Sequence, residues 1–110
     1  GETWYQAMMR YVESNIAFVR DYLKKELPQI KLIEPEGTYL LWLDCRELGL
    51  SVEELEHLVV DKANLWLDPG FIFGAVGEGF ERINIACPRQ TLRQAMDQLR
   101  DALNAEAFLN

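Results

Sequence analysis

Apolar residues recur at helical spacing through the first part of the chain. Trp4, Met8, Tyr11, Ile16, Val19, Leu23 and Leu27 lie three to five residues apart, which predicts one face of a long helix that Pro28 ends. Thr3 with Gln6 predicts the capping box that starts it. Phe18 and Tyr22 widen the stripe beyond what one small sheet needs to cover. Lys31 to Glu34 then predicts a short strand, and Pro35, Glu36 and Gly37 a turn. Thr38 to Asp44 is almost continuously apolar, as expected of a strand in the middle of a sheet with both faces covered. Ser51 with Glu54 predicts a second capping box, followed by a helix to about Lys62 whose inner face is Leu55, Leu58 and Val59. Leu65-Trp66-Leu67 predicts a brief strand halted by Asp68-Pro69-Gly70. After an irregular stretch from Pro69 to Gly79, a strand beginning at Phe80 places Ile83 and Ile85 on one face and Arg82, Asn84 and Ala86 on the other. Pro88 suits the first turn of a last helix carrying Leu92, Met96, Leu99 and Leu103 on one side. The order is helix, strand, strand, helix, strand, loop, strand, helix, an α+β arrangement.

Composition changes this picture only by exclusion. A chain of 110 residues is one domain by size, and such a chain buries roughly two-thirds of its unfolded surface. The formal net charge of -7 repels nucleic acid and anionic membranes. No apolar run approaches the roughly 20 residues of a membrane span, and the amino terminus lacks the order of a signal peptide. A cytoplasmic protein is expected, with Cys45 and Cys87 as free thiols beside apolar runs.

The chemistry is sparse. Gly74, Gly77 and Gly79 have the wrong spacing for a dinucleotide fingerprint, and a strand rather than a helix follows them. His57, the only histidine, falls on the outward side of a charged helix, and no further residues complete a metal site. Asp44, at the end of the central strand, and Asp68, before Pro69, are candidate acids at a cleft, though turn and cap duties also explain each. No nucleophile has a base beside it, no lysine lies in an apolar setting, and the chain holds no catalytic residue of its own. Arg82 is the exception. A guanidinium at the start of an alternating strand needs an anion, either from outside or an acid of this chain such as Glu81 or Glu78. Phe71, Phe73 and Phe80 stand ready to wall it off from water. Arg89, at a helix start, is badly placed for the helix dipole and calls for a ligand, an acidic partner or solvent.

Three segments in order, Glu36 to Arg46 (EGTYLLWLDCR), Leu67 to Arg89 (LDPGFIFGAVGEGFERINIACPR) and the amphipathic helix after them, resemble the carboxy-terminal small domain of fold-type I pyridoxal-phosphate enzymes. The resemblance runs from about Trp4 to Leu103 and is to the class I/II aminotransferase branch that contains the cystathionine β-lyase-like carbon-sulfur lyases. It implies a small, mostly antiparallel sheet of about four strands with helices packed on it, the aminotransferase small-domain type. It also implies that residues 1–110 are a single domain taken from a larger enzyme.

In the family, the arginine matching Arg82 binds the substrate α-carboxylate through two parallel hydrogen bonds. Gly37 and Tyr39 match a segment that approaches the cleft, and Phe71 and Phe73 match positions at the substrate entrance. The cofactor lysine and the residues that hold pyridoxal phosphate belong to the large domain, so none of Lys24, Lys25, Lys31 or Lys62 takes that role. The resemblance therefore implies pyridoxal phosphate in the full-length parent, none bound to this chain, and an inactive isolated chain. The parent is expected to be a homodimeric lyase or aminotransferase acting on an amino acid. The isolated chain is expected to self-associate through the surface that the large domain would cover. The alternative, read from the residues alone, is a free-standing amino-acid-binding or regulatory α+β module.

Overall fold

The computed structural model describes residues 1–33 and 39–109. Thr3 starts the first helix as its sequence predicts, its side chain accepting from the Gln6 N–H at 3.1 Å while Gln6 Oε1 accepts from the Thr3 N–H at 3.1 Å. Helix α1 spans Trp4–Glu26, and the Leu27 N–H closes it on the Leu23 carbonyl just ahead of Pro28. Its buried stripe is Val12, Asn15, Val19, Tyr22 and Leu23. The expected stripe begins at Trp4, yet Trp4 is exposed and Tyr11 is partly so, its hydroxyl donating to the Cys87 carbonyl at 2.8 Å. Asn15 was hidden from a hydrophobic pattern by its polarity. It is fully buried because its amide donates to the carbonyls of Ile85 (2.7 Å) and Cys87 (3.0 Å), pinning α1 to the chain that leaves the sheet.

The sheet has four antiparallel strands in the order β1-β2-β4-β3: β1 Lys31–Ile33, β2 Leu40–Asp44, β4 Phe80–Asn84 and β3 Asp68–Pro69. β2 is central, as its apolar run predicts. The expectation that both its faces are covered is overturned, since Leu41 and Leu43 are fully buried while Leu40, Trp42 and Asp44 remain partly open. One layer of helices covers the inner face only. Leu41, Leu43, Ile83 and Ile85 of that face share a single core with Val19 and Leu23 of α1, with Leu92, Met96 and Leu99 of α3 (Arg89–Leu109), and with Leu55, Leu58 and Val59.

Ser51 and Glu54 make the predicted capping box for α2, Val52–Glu56, which runs on into a π-helical segment, His57–Lys62. The strand expected at Leu65-Trp66-Leu67 is displaced to Asp68–Pro69. The Leu65 N–H bonds back to the Val59 carbonyl at 2.9 Å, so the chain is still tied to the helix there, and Trp66 is exposed. The turn expected at Pro35, Glu36 and Gly37 lies outside the described residues.

The irregular stretch before β4 is two short 3₁₀ turns, Gly70–Phe73 and Ala75–Gly77. Its glycines serve a close backbone crossing. A Cβ on Gly70 would stand 2.0 Å from the Gly77 carbonyl oxygen, and one on Gly77 would stand 2.1 Å from that of Gly70.

Candidate functional site

Pairing of β4 with both neighbours puts three residues in one row on the open face of the sheet: Trp42 of β2, Arg82 of β4 and Asp68 of β3. Arg82 Nε donates to Asp68 Oδ2 at 3.2 Å, and Nη2 reaches the same oxygen at 3.1 Å. The guanidinium carbon lies 4.8 Å from the centre of the Phe73 ring and 5.7 Å from that of Trp42, and these two rings meet edge to face at 5.5 Å. About a quarter of the Arg82 side chain, 27%, stays accessible. Among the described residues Nη1 has no partner, so the outward end of the fork is free.

Neither Glu81 nor Glu78, the acids expected from within the chain, pairs with Arg82. The acid is Asp68, which the displaced β3 brings opposite Arg82. Phe73 does shield Arg82, whereas Phe80 covers Arg46 at 4.9 Å. Arg46 is in turn gripped by Asp44 through Nε at 2.9 Å and Nη2 at 2.8 Å, and that hydrogen bonding holds the Asp44 carboxyl below its usual range. Asn84 shares the open face with Arg82 but turns its Oδ1 to the Ala86 N–H at 2.8 Å. Tyr39 bonds Ile85 through its backbone carbonyl and leaves its ring partly exposed, and Phe71 is also exposed. Gly37 lies outside the described residues. The structure thus joins Arg82 and Phe73 with the candidate acid Asp68, and it adds Trp42; that these stand together only the strand register reveals.

Glu81, next to Arg82, points the other way into the core. It is 1% exposed, and both its carboxylate oxygens lack a hydrogen-bond partner among the described residues. Burial, reinforced by the nearby Glu56 carboxyl, raises its pKa far above the usual carboxylate range. Beside it the free, buried Cys45 thiol is pushed up to about 12, chiefly by burial. His57 is exposed and paired with Asp61 at 2.8 Å, as a surface residue should be. Arg89 is satisfied at the helix start by Asn15 Oδ1 at 2.7 Å and by Ser14 Oγ, with its plane over Phe18. No described helix is long and apolar enough to cross a membrane.

A four-stranded antiparallel sheet with helices packed on one face is an α+β arrangement of the aminotransferase type. The chain belongs to the pyridoxal-phosphate-dependent family that comprises the aminotransferases and the cystathionine β-lyase-like carbon-sulfur lyases. It is 36% identical over 104 residues to cystathionine β-lyase PatB of Bacillus subtilis, with 94% of this chain and 27% of that protein covered. It is 30% identical over 105 residues to protein MalY of Escherichia coli, covering 96% of this chain and 27% of that protein. Among solved structures, a PLP-bound putative aminotransferase from Clostridium difficile superposes with a TM-score of 0.89 at 46% identity, over 94% of this chain and 27% of the other. Cystalysin from Treponema denticola, a structure containing pyridoxal 5'-phosphate, gives 0.88 at 35% identity over 93% of this chain and 26% of the other. No family profile matches the chain. The chain therefore spans about a quarter of the length of these relatives.

The residues present do not fit the family's cofactor. Lys24, Lys25, Lys31 and Lys62 all stand in solvent, and none lies in the dry setting that a cofactor-bearing lysine requires.

Proposed function

We propose that this chain is the carboxy-terminal small domain of a cytoplasmic, homodimeric pyridoxal-phosphate enzyme and supplies Arg82 to bind the α-carboxylate of its amino-acid substrate. The observation that carries the reading is the state of that side chain: clamped along one edge, flanked by two aromatic rings, and open at its Nη1 end on an uncovered sheet face. A planar fork held in a half-dry setting is suited to a carboxylate, and fixing the substrate's carboxylate fixes the direction of its reacting bond. The cofactor, carried by the large domain, would serve as the electron sink for chemistry at the substrate α-carbon. Likeness to named cystathionine β-lyases favours carbon-sulfur β-lysis over transamination. Exposed Ile33, Tyr39, Phe71, Ile72 and Val76 mark the surface that the large domain would cover. Two cysteines left as free thiols agree with a reducing compartment.

The test is substrate kinetics in the full-length enzyme. Arg82→Ala is expected to raise KM for the amino acid on the order of a hundredfold, because two charge-assisted hydrogen bonds are lost. Arg82→Lys is expected to fall between, since it keeps the charge without the fork. An unchanged KM for Arg82→Ala refutes the role. Calorimetry of the 110-residue chain with amino acids and with pyridoxal phosphate is expected to show no binding. Tight amino-acid binding by the chain alone would instead establish a free-standing module.

A further inference from the structure

We infer that Asp68 is a positioning residue for Arg82: it holds the Nε/Nη2 edge of the guanidinium so that the Nη1 end is presented to a carboxylate. The inference rests on the reading of Arg82 given above and goes one step deeper into the same site.

An arginine has two edges that can take a carboxylate, one formed by Nε and Nη2 and the other by Nη1 and Nη2. In this structure a single oxygen, Asp68 Oδ2, accepts from Nε at 3.2 Å and stands in ion-pair contact with Nη2 at 3.1 Å, which occupies the first edge. The second edge keeps both hydrogens of Nη1 and one of Nη2. The Phe73 and Trp42 rings confine the guanidinium from the sides, but rings alone leave it free to turn in its own plane. The bond to Asp68 removes that rotation.

The backbone places Asp68 for this task. β3 is only Asp68–Pro69, and its first residue is the register partner of Arg82 across the ladder. Asp68 is also half exposed, at 52% of its side chain, so the pair is not a buried ion pair that the core depends on. A carboxylate in that position has two possible effects on an arriving substrate. Its orienting effect favours binding, whereas its negative charge opposes it. The two separate on substitution, because asparagine keeps an oxygen to accept from Nε and drops the charge.

The kinetic arm uses the full-length enzyme and its amino-acid substrate. Asp68→Ala is expected to raise KM about tenfold, the loss of one charge-assisted hydrogen-bonded contact. Asp68→Asn is expected to recover most of that loss. A KM that is unchanged or lower in Asp68→Ala, or that rises equally in Asn and Ala, overturns the inference. If Arg82→Ala itself leaves KM unchanged, it is the reading of Arg82 that has failed; if Arg82→Ala raises KM and Asp68→Ala does not, only the role of Asp68 has failed. The second arm needs no activity. In nitrogen-15 NMR of the 110-residue chain, the Arg82 Nε–H signal is expected to be slow to exchange in the parent sequence and in Asp68→Asn, and to lose that protection in Asp68→Ala. Protection that survives in Asp68→Ala also overturns the proposal.

Discussion

Adjacent residues of β4 meet opposite environments, and one of them is in conflict with its surroundings. Arg82 faces out to a paired, aromatic-flanked setting, while Glu81 faces in, with no hydrogen-bond partner for either oxygen among the described residues. A buried carboxyl of this kind keeps its proton in the folded state after the unfolded chain has released it. Its folded pKa is raised from about 4.5 towards 9, so the native state binds more protons than the unfolded state across that window. The sign follows: stability falls as pH rises from about 4.5 towards 9, at a slope of at most about 1.4 kcal/mol per pH unit. Glu81→Gln removes the titration. Thermal melts at pH 5 and pH 8 are expected to show the parent losing stability across this interval and the variant holding nearly level. At this scale the sequence is half legible. Alternation along Phe80–Asn84 alone assigns Arg82 to one face and Glu81 to the other. Choosing the partner of Arg82 required the register of a strand too short to leave a pattern.

Elements were most readable where local chemistry fixes them. Both capping boxes form at the predicted residues, because a side chain three positions away settles a helix start without tertiary help. The third strand was misplaced, since its two residues, Asp68 and Pro69, carry no β-propensity and are extended only because β4 pairs with them. The covering of β2 was misread for a related reason: an apolar run reports that a face avoids water, not which chain covers it. The loop that carries Phe73 depends on the approach of Gly70 to Gly77. Gly77→Ala sets a methyl 2.1 Å from a backbone oxygen, a clash that only main-chain movement relieves. It is expected to cost about 2 kcal/mol or more in denaturant unfolding. In the full-length enzyme it should also raise KM, as Phe73 is drawn away from Arg82.

On the scale of the whole molecule, the surface is the informative part. Ile72 is 57% and Val76 94% exposed, close in sequence to exposed Phe71 and Phe73, and Ile33 and Tyr39 are also exposed. A free-standing domain seldom leaves such a patch uncovered. Sedimentation of the isolated chain is expected to show mass rising with concentration, and the double variant Ile72→Ser, Val76→Ser to suppress it. A strictly monomeric parent chain at high concentration would contradict this. The α+β class and the aminotransferase-type sheet were legible from the sequence, the former from periodicity and the latter from motif order. The path of the first helix was not, because Trp4 and Tyr11 belong to an apolar stripe that the described residues leave uncovered.

Trp42 packs against Phe73 within reach of the Arg82 charge, whereas the chain's other two indoles, Trp4 and Trp66, are 77% and 85% exposed. The protein therefore carries its own optical reporter: an anion docking on that guanidinium changes the local field on one chromophore and leaves two in unaltered water. Emission from a Trp4→Phe, Trp66→Phe background isolates that signal, so anion binding at Arg82 is readable without a label.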